Sequence, residues 1–375
     1  MPVRCVSLLV VIAVVLCACG TTVPGVPLRP SAPSAPAPSP AAPEPDFTVV
    51  AAGDVLIHPA LTDQASRDGN GRRDYTALFA GVRPVIEGAD LAICHLEVPL
   101  AGPGGPFRGY PLFSAPPEVA AGLAATGYDT CSTASNHTLD QGPAGVTSTL
   151  DILDAAGIRH TGSARSAAEA AAPVVLQARG VRVAQLSYTF GFNAGTTLPA
   201  DSPWLGNRLD PATVLAAARA ARTAGAEVVI VSLHWGIEDR HEPTADQRRI
   251  ARTLLADPAV DLIVGHHAHV VQPFENINGK WVAYGLGNQV ARHAEPRGTT
   301  EEGAIARFEF TKTASGWHVR KAEYIPTLID LGPPIRLRDL TTDPTVDPTR
   351  KTQALTRTDQ IITSAGAASA GLTRP

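Results

Sequence analysis

Large and polarisable side chains are scarce in this chain: one Met, four Trp, six Tyr and nine Phe among 375 residues. Packing therefore has to rest on Val, Leu, Ile and Ala, the ordinary filling of a buried parallel sheet. Charge is sparse too. With 18% charged residues, a net charge of -4 and no long Lys or Arg run, the chain lacks the basic surface that holds nucleic-acid phosphates. No nucleic-acid partner is expected. Cysteine is limited to five residues. Cys5, Cys17 and Cys19 lie at the N-terminus, leaving Cys94 and Cys131 for the folded part. Their spacing is not that of a metal-binding pair. Both fall in strand-like patterns and read as buried thiols, with a disulfide open to them outside the cytoplasm. No internal repeat is present.

What the chain does have begins with a targeting segment, residues 1–19. Arg4 precedes the apolar stretch 6–16, which is too short for a mature membrane span of ~20 residues and has the form of a signal peptide. Leu16-Cys17-Ala18-Cys19-Gly20 resembles a bacterial lipoprotein cleavage box in which Cys19 becomes the lipidated N-terminus. A plain secretory signal or an uncleaved anchor helix are the alternatives. Residues 20–45 are mainly Pro, Ala and Ser, with nine prolines between Pro24 and Pro45. Such a segment favours polyproline II and serves as a tether. The expected location is the extracytoplasmic face of the cell membrane, lipid-anchored, or secretion if no lipid is attached.

From Asp46 to about residue 330, short apolar strands alternate with amphipathic helical segments, which indicates a layered α/β domain. Residues 73–88 carry helical spacing through Leu78, Val82, Val85 and Ile86. Residues 101–117 form a Gly- and Pro-rich excursion of the length typical of lids and binding loops. Arg179-Gly180, Asn278-Gly279 and Ser315-Gly316 each sit between strand-like runs and mark hairpins. Residues 331–375, with a polar helix beyond Pro344, are expected to be peripheral.

Five strand ends carry the chemistry. SNHTLDQG (135–142) places an amide, an imidazole and a carboxylate within five residues, between a short buried strand and a helix. GDVLIH (53–58), HLE (95–97), SLHWG (232–236) and GHHAH (265–269) repeat that arrangement. In open α/β sheets, ligands bind beyond the carboxyl ends of the strands. Asp54, Glu97, Asn136, His234, His267 and His269 together offer the oxygen and imidazole donors that suit Mn, Fe or Zn. The alternative is a scatter of structural polar residues. A pair of such ions activates water and clamps phosphoryl oxygens. Trp235 and Gly236 read as structural, an indole packed behind the His234 loop and a sharp exit from it.

SNHTLDQGPAG, HWGIED, GHHAHVVQP and YGLGN (284–288) resemble the CapA family of capsule or poly-gamma-glutamate synthesis proteins. The domain of that family is similar to the calcineurin-like metallophosphoesterases. The resemblance covers most of residues 47–324 and implies a four-layer α/β sandwich, two inner β-sheets flanked by helices, holding two divalent metal ions. It implies that Asp54 and His269 serve one ion and Asn136, His234 and His267 the other. Glu97 stands where metallophosphoesterases place a bridging Asp. His137 would protonate the leaving oxygen. Asp140 either orients His137 or caps the following helix. Accessory positions are His58, which reaches the metal or lines the cleft, together with His95, Glu238, His266 and Asn288 at the rim. Two departures stand out: no Asp-x-His pair follows Gly53, and His95 replaces the Asn of the family's Asn-Leu-Glu.

Two functions fit this resemblance. The first is an envelope hydrolase acting on a phosphoester in a cell-envelope polymer precursor. The second is a non-catalytic lipoprotein assembly factor beside a polymer synthase or exporter.

Overall fold

The computed structural model describes residues 46–375. The signal peptide, the Cys19 lipidation box and the proline-rich tether lie outside the described residues. No described helix is long and apolar enough to cross a membrane.

The strands form two sheets. The first is ordered β14-β13-β12-β1-β2-β3-β4. Its strands are β1 (Phe47–Val55), β2 (Leu91–Leu96), β3 (Thr130–Ser132), β4 (Arg159–Thr161), β12 (Glu302–Thr313), β13 (Gly316–Asp330) and β14 (Arg336–Asp339), with β11 (Asn288–Val290) on β1 and β15 (Leu372–Thr373) on β13. The second is ordered β5-β6-β7-β8-β10-β9, from β5 (Val175–Ala178), β6 (Val181–Thr189), β7 (Val228–His234), β8 (Leu262–His266), β9 (Phe274–Ile277) and β10 (Lys280–Ala283).

Side chains alternate across each strand, and the alternation builds the layers. Val49 and Ala51 of β1 meet Val228, Ile230, Leu262 and Val264 in a core between the sheets. Val50 and Ala52 point the other way, into a core shared with Val119, Leu123, Val146 and Leu150 from helices Glu118–Thr126 and Gly142–Ala155. On the second sheet Val229 and Val231 pack against Val214 and Ala218 of helix Pro211–Thr223 and Ile250 and Leu254 of helix Ala245–Leu255. The order is helices, sheet, sheet, helices, the expected sandwich.

Parallel pairing aligns the functional strand ends. Asp54 pairs with His95 and His95 with Ser132 in the first sheet, and His234 pairs with His266 in the second. All are carboxyl-terminal positions of parallel strands. The YGLGN turn joins them through β11, where Asn288 pairs with Asp54. This crossing is tight enough to demand glycine. A Cβ on Gly53 would lie 2.1 Å from the Gly287 carbonyl oxygen.

Three expectations are corrected. Residues 73–88 are not one helix but three short pieces, Thr76–Phe79, Ala80–Val82 and Arg83–Glu87. Gly81 is pressed against the backbone of β14, where an added Cβ would sit 2.3 Å from the Leu337 oxygen, and Pro84 withholds an amide donor. The C-terminal segment is integral to the sandwich: β14 and β15 extend the first sheet, Ile362, Ala367 and Leu372 enter the inter-sheet core, and Tyr324 Oη donates to Asp359 at 2.8 Å. Cys94 and Cys131 are joined as a disulfide rather than left as thiols. They face each other in the β2–β3 register with Cα atoms 4.5 Å apart.

That bridge closes a loop between buried strands, so a Cys94→Ala/Cys131→Ala variant should lose roughly 2–4 kcal/mol of stability, seen as a lower urea midpoint. Alkylation of Cys94 and Cys131 themselves in the denatured, unreduced protein would contradict the bridge.

Candidate metal centre

Asp54 is fully buried at the end of β1 and serves both sheets. Its Oδ1 accepts from His266 Nδ1 at 3.1 Å and its Oδ2 accepts the His267 amide at 3.0 Å. His269 Nδ1 approaches the same Oδ2 at 3.4 Å. Burial alone would raise this carboxyl, but the His266 and His269 hydrogen bonds, with the nearby imidazoles, hold it well below the usual range. Glu97, two residues past His95, is buried, and neither carboxylate oxygen has a hydrogen-bond partner. His269 Nε2 lies 3.8 Å from its Oε1. Asp54, Glu97 and His269 thus bring three ligand atoms within 4.8 Å of one another.

A second such group is Asp54, His95 and His266. The His95 and His266 rings stack at 4.0 Å with planes 15° apart. Ser132 Oγ lies 2.8 Å from His95 Nδ1, His95 Nε2 lies 3.0 Å from His234 Nδ1, and His234 Nε2 lies 2.7 Å from Asn136 Oδ1. An amide oxygen only accepts, so the protons run one way along this chain, from the Ser132 hydroxyl to Asn136. Asn136 in turn donates to Asn193 Oδ1 at 2.9 Å.

The structure therefore gathers Asp54, Glu97 and His269 directly, and links Asn136 and His234 to each other. His267 stands beside Asp54, its buried Nδ1 without a partner. The GHHAH turn exposes these rings by placing His267 at φ 89° and His269 at φ 57°, left-handed conformations that cost ~1–3 kcal/mol each and cluster at functional sites. Asn288 is buried, not at the rim, and its Oδ1 accepts from His269 Nδ1 at 3.0 Å. Trp235 Nε1 donates to the Tyr284 carbonyl at 2.9 Å, and Gly236 has φ 93°.

His137 Nδ1 donates to Asp140 Oδ2 at 2.6 Å, and that oxygen also accepts the Phe113 amide at 2.7 Å. Asp140 orients His137 and does not cap the following helix, whose N-cap, Gln141, makes no side-chain capping bond. Phe113 comes from the 101–117 excursion and sets its ring edge-on to both His58, at 5.3 Å, and His137, at 4.8 Å. Glu238 is exposed on the wall of the cavity that also reaches His58, His137 and His269.

Ser132, Asn193 and His293 were not marked by the sequence. The first two belong to no motif. His293 follows YGLGN by five residues and is visible only as an isolated imidazole.

Crowding shapes the charge state of the centre. Burial pulls His58 and His267 down to about 3 and His293 to about 4, and holds His95 and His234 well below the ordinary imidazole value. These five rings are neutral, the form that binds metal. For His269 burial is outweighed by Glu97 and Asp54, which raise it to about 10. Burial pushes Glu97 well above the usual carboxylate range. Buried carboxylate oxygens and imidazole nitrogens without partners are costly unless a ligand meets them. Glu97, His266 Nε2 and His267 Nδ1 are such atoms, and as hard oxygen and borderline nitrogen donors they fit a divalent ion.

A two-sheet α/β sandwich with an oxygen-and-imidazole centre at its strand ends is thus defined by the chain itself. Residues 48–293 match the family model described as "Bacterial capsule synthesis protein PGA_cap", and the chain belongs to that family. It is 26% identical over 271 residues to the capsule biosynthesis protein CapA of Bacillus anthracis, covering 70% of this chain and 63% of that protein. It is 32% identical over 188 residues to the PGA biosynthesis protein CapA of Bacillus subtilis (strain 168), covering 49% and 47%. A probable polyglutamine synthesis accessory protein of Mycobacterium tuberculosis is 28% identical over 212 residues, covering 54% and 55%. The chain thus spans between about half and just under two thirds of these relatives' lengths. Among solved structures, the calcineurin-like phosphoesterase YfkN from Bacillus subtilis aligns at a TM-score of 0.45 and 14% identity, over 85% of this chain and 98% of that one. That likeness is too distant to carry chemistry.

A pH dependence follows from the five depressed imidazoles. Below their unfolded value near 6.5 the unfolded chain takes up protons that native His58, His267 and His293 refuse until about pH 3 to 4 and that buried His95 and His234 also resist, so stability falls with acidification. His269 acts oppositely: its contribution is full below pH 6.5 and is lost as pH rises through about 10. The melting temperature of the chelator-treated protein should drop steadily from pH 6.5 to 4. A flat profile there would mean that the imidazoles are not held neutral.

Proposed function

We propose that this protein is a divalent-metal-dependent hydrolase of a phosphoester in a cell-envelope precursor, working in the synthesis of a capsule or poly-gamma-glutamate type polymer. The polymer part is supported by the family and by the names its relatives carry. The hydrolytic part is supported above all by one observation: an imidazole oriented by a buried carboxylate, His137 on Asp140, opens on the same cavity as His269 of the Asp54–Glu97–His269 group.

Asp54, Glu97 and His269 would hold one ion, and Asn136, His234 and His267 the other. His266 Nδ1 positions Asp54 and leaves its Nε2 free toward an ion, whereas both His95 nitrogens are engaged, with Ser132 and His234. The two ions, of the Mn, Fe or Zn kind, supply a nucleophile at neutral pH and neutralise the phosphoryl oxygens. His137 has Nδ1 committed to Asp140, which leaves Nε2 as the atom that delivers a proton to the leaving oxygen. Phe113 packs on His137 and limits its rotation. The Cys19 lipid anchor and the proline-rich tether would hold this domain at the outer face of the membrane, within reach of polymer synthase or export proteins.

A second reading has its own support, because a relative is described as an accessory protein. On that reading the fold is a tethered assembly factor and its metal is structural. Retention of the His137–Asp140 pair argues for turnover, since a structural ion needs no proton donor.

Metal analysis of the purified protein together with a phosphoester assay separates the two. Two ions per chain are expected, with loss on His267→Ala/His269→Ala substitution. His137→Ala should keep the ions and lower kcat on phosphoesters about 10²–10⁴-fold. Asp140→Asn should lower activity about 10–100-fold. An ion-loaded chain inert on every phosphoester class would favour the assembly factor, and a chain that takes up no ion would end the hydrolase reading.

A further inference from the structure

Two imidazoles in front of the centre have no task in the hydrolysis just described. His58, in the turn after β1, and His293, in the segment after β11, lie with ring centroids 4.9 Å apart. Both line a cavity of 890 Å³ that also reaches His137 and His269. The tautomer of His58 follows from its neighbours. Its Nδ1 is 3.1 Å from the Leu56 carbonyl oxygen and 3.1 Å from the Arg292 amide. The Leu56 oxygen already accepts the His58 amide at 3.0 Å, whereas the Arg292 amide has no other acceptor among the described residues. Nδ1 therefore accepts, and the neutral ring carries its proton on Nε2. That N–H meets no protein partner among the described residues. Neither does His293, whose Nδ1 is fully buried. Unpaired polar atoms at a cavity wall are costly until a ligand completes them.

The rest of the wall indicates which ligand. Glu238 and Asp239 supply acceptors and Arg297 supplies donors, with Arg297 and Asp239 already paired. The charges nearly cancel, which gives no reason to select a second highly charged group. Tyr110 stands beside them, 80% exposed, as a flat apolar face. Interleaved donors and acceptors around one aromatic face suit a ligand that is itself rich in hydroxyls, and the cavity is far larger than a phosphoryl group requires. Resting on the phosphoester hydrolysis proposed above, we propose that His58 and His293 form a subsite for the hydroxyls of the leaving group. The substrate is then a phosphoester of a polyhydroxylated alcohol, of the glycerol-phosphate or sugar-phosphate kind.

Two phosphonates that resist hydrolysis test this: 3,4-dihydroxybutylphosphonate and butylphosphonate, titrated calorimetrically into the metal-loaded full chain. The dihydroxy compound should bind at least about tenfold tighter, the worth of one or two hydrogen bonds. In His58→Ala and in His293→Asn the two affinities should converge while metal content per chain stays constant. Equal affinities in the wild type would overturn the proposal, as would discrimination that survives both substitutions. Loss of an ion in either variant would make these residues ligands and overturn it too. If neither phosphonate binds an ion-loaded chain, the hydrolase reading itself falls, an outcome distinct from equal binding of both.

Discussion

Asp54 is an ionised carboxylate with almost no access to water, a placement that costs several kcal/mol unless donors surround it. Its donors come from the other sheet: the His266 ring at the end of β8 and the His267 amide in the turn beyond. By itself the apolar part of the inter-sheet core is non-directional, so, apart from polar links such as Thr130 to Gln185 at 2.6 Å and His95 to His234 at 3.0 Å, it permits small slips of one sheet on the other. The Asp54 bonds do not. They pin β1 to β8 at the edge where the other functional strand ends emerge, and the Gly53–Gly287 contact fixes the YGLGN turn against the same point. Removing Asp54 would leave a buried imidazole and a buried amide without partners as well as a missing ligand.

Around that joint the protein accumulates groups of one kind. Three neutral imidazoles, His95, His234 and His267, are packed where water scarcely reaches them, and two backbone positions, His267 and His269, are held in left-handed conformations. Each is unfavourable alone. His267 among them keeps an Nδ1 without a partner, and a neutral ring there need not shed a proton to bind a cation. Glu97 and His269 differ, because burial favours a proton on Glu97 and the neighbouring Glu97 and Asp54 carboxyl groups favour one on His269. Entry of a cation must displace those protons, so ion binding and proton release are linked at this one pair.

Most of the sandwich was legible in the sequence. Helices Glu118–Thr126, Pro211–Thr223 and Ala245–Leu255 rest on local signals such as apolar spacing, the proline at the start of the second and the Thr244 capping box of the third. Residues 73–88 misled for the opposite reason. Their helical spacing is real, but Gly81 has to approach the backbone of β14, more than two hundred residues away, and the helix breaks there. The C-terminal segment looked peripheral because its residues are small and polar, yet Ala354, Ala367 and Leu372 are buried where small side chains allow close packing. Of the site, the residues in motifs were visible and those outside motifs were not. Ser132, Asn193 and His293 acquire meaning only from what they touch.

The sequence by itself determined most of the strands and helices and that oxygen and imidazole donors cluster just past the strands, since both are written in short-range spacing. The tertiary structure alone decided which of those donors meet. Cys94 and Cys131 bond because parallel register sets them side by side. His95 and His266, rather than His234, flank Asp54 because two sheets from distant parts of the chain converge there. Asn288 turns inward to His269, and His293 swings beside His58, through folding of one turn and one loop. Local spacing constrains backbone conformation within a few residues, whereas contact between strand ends is settled by packing of whole layers, which no short stretch encodes.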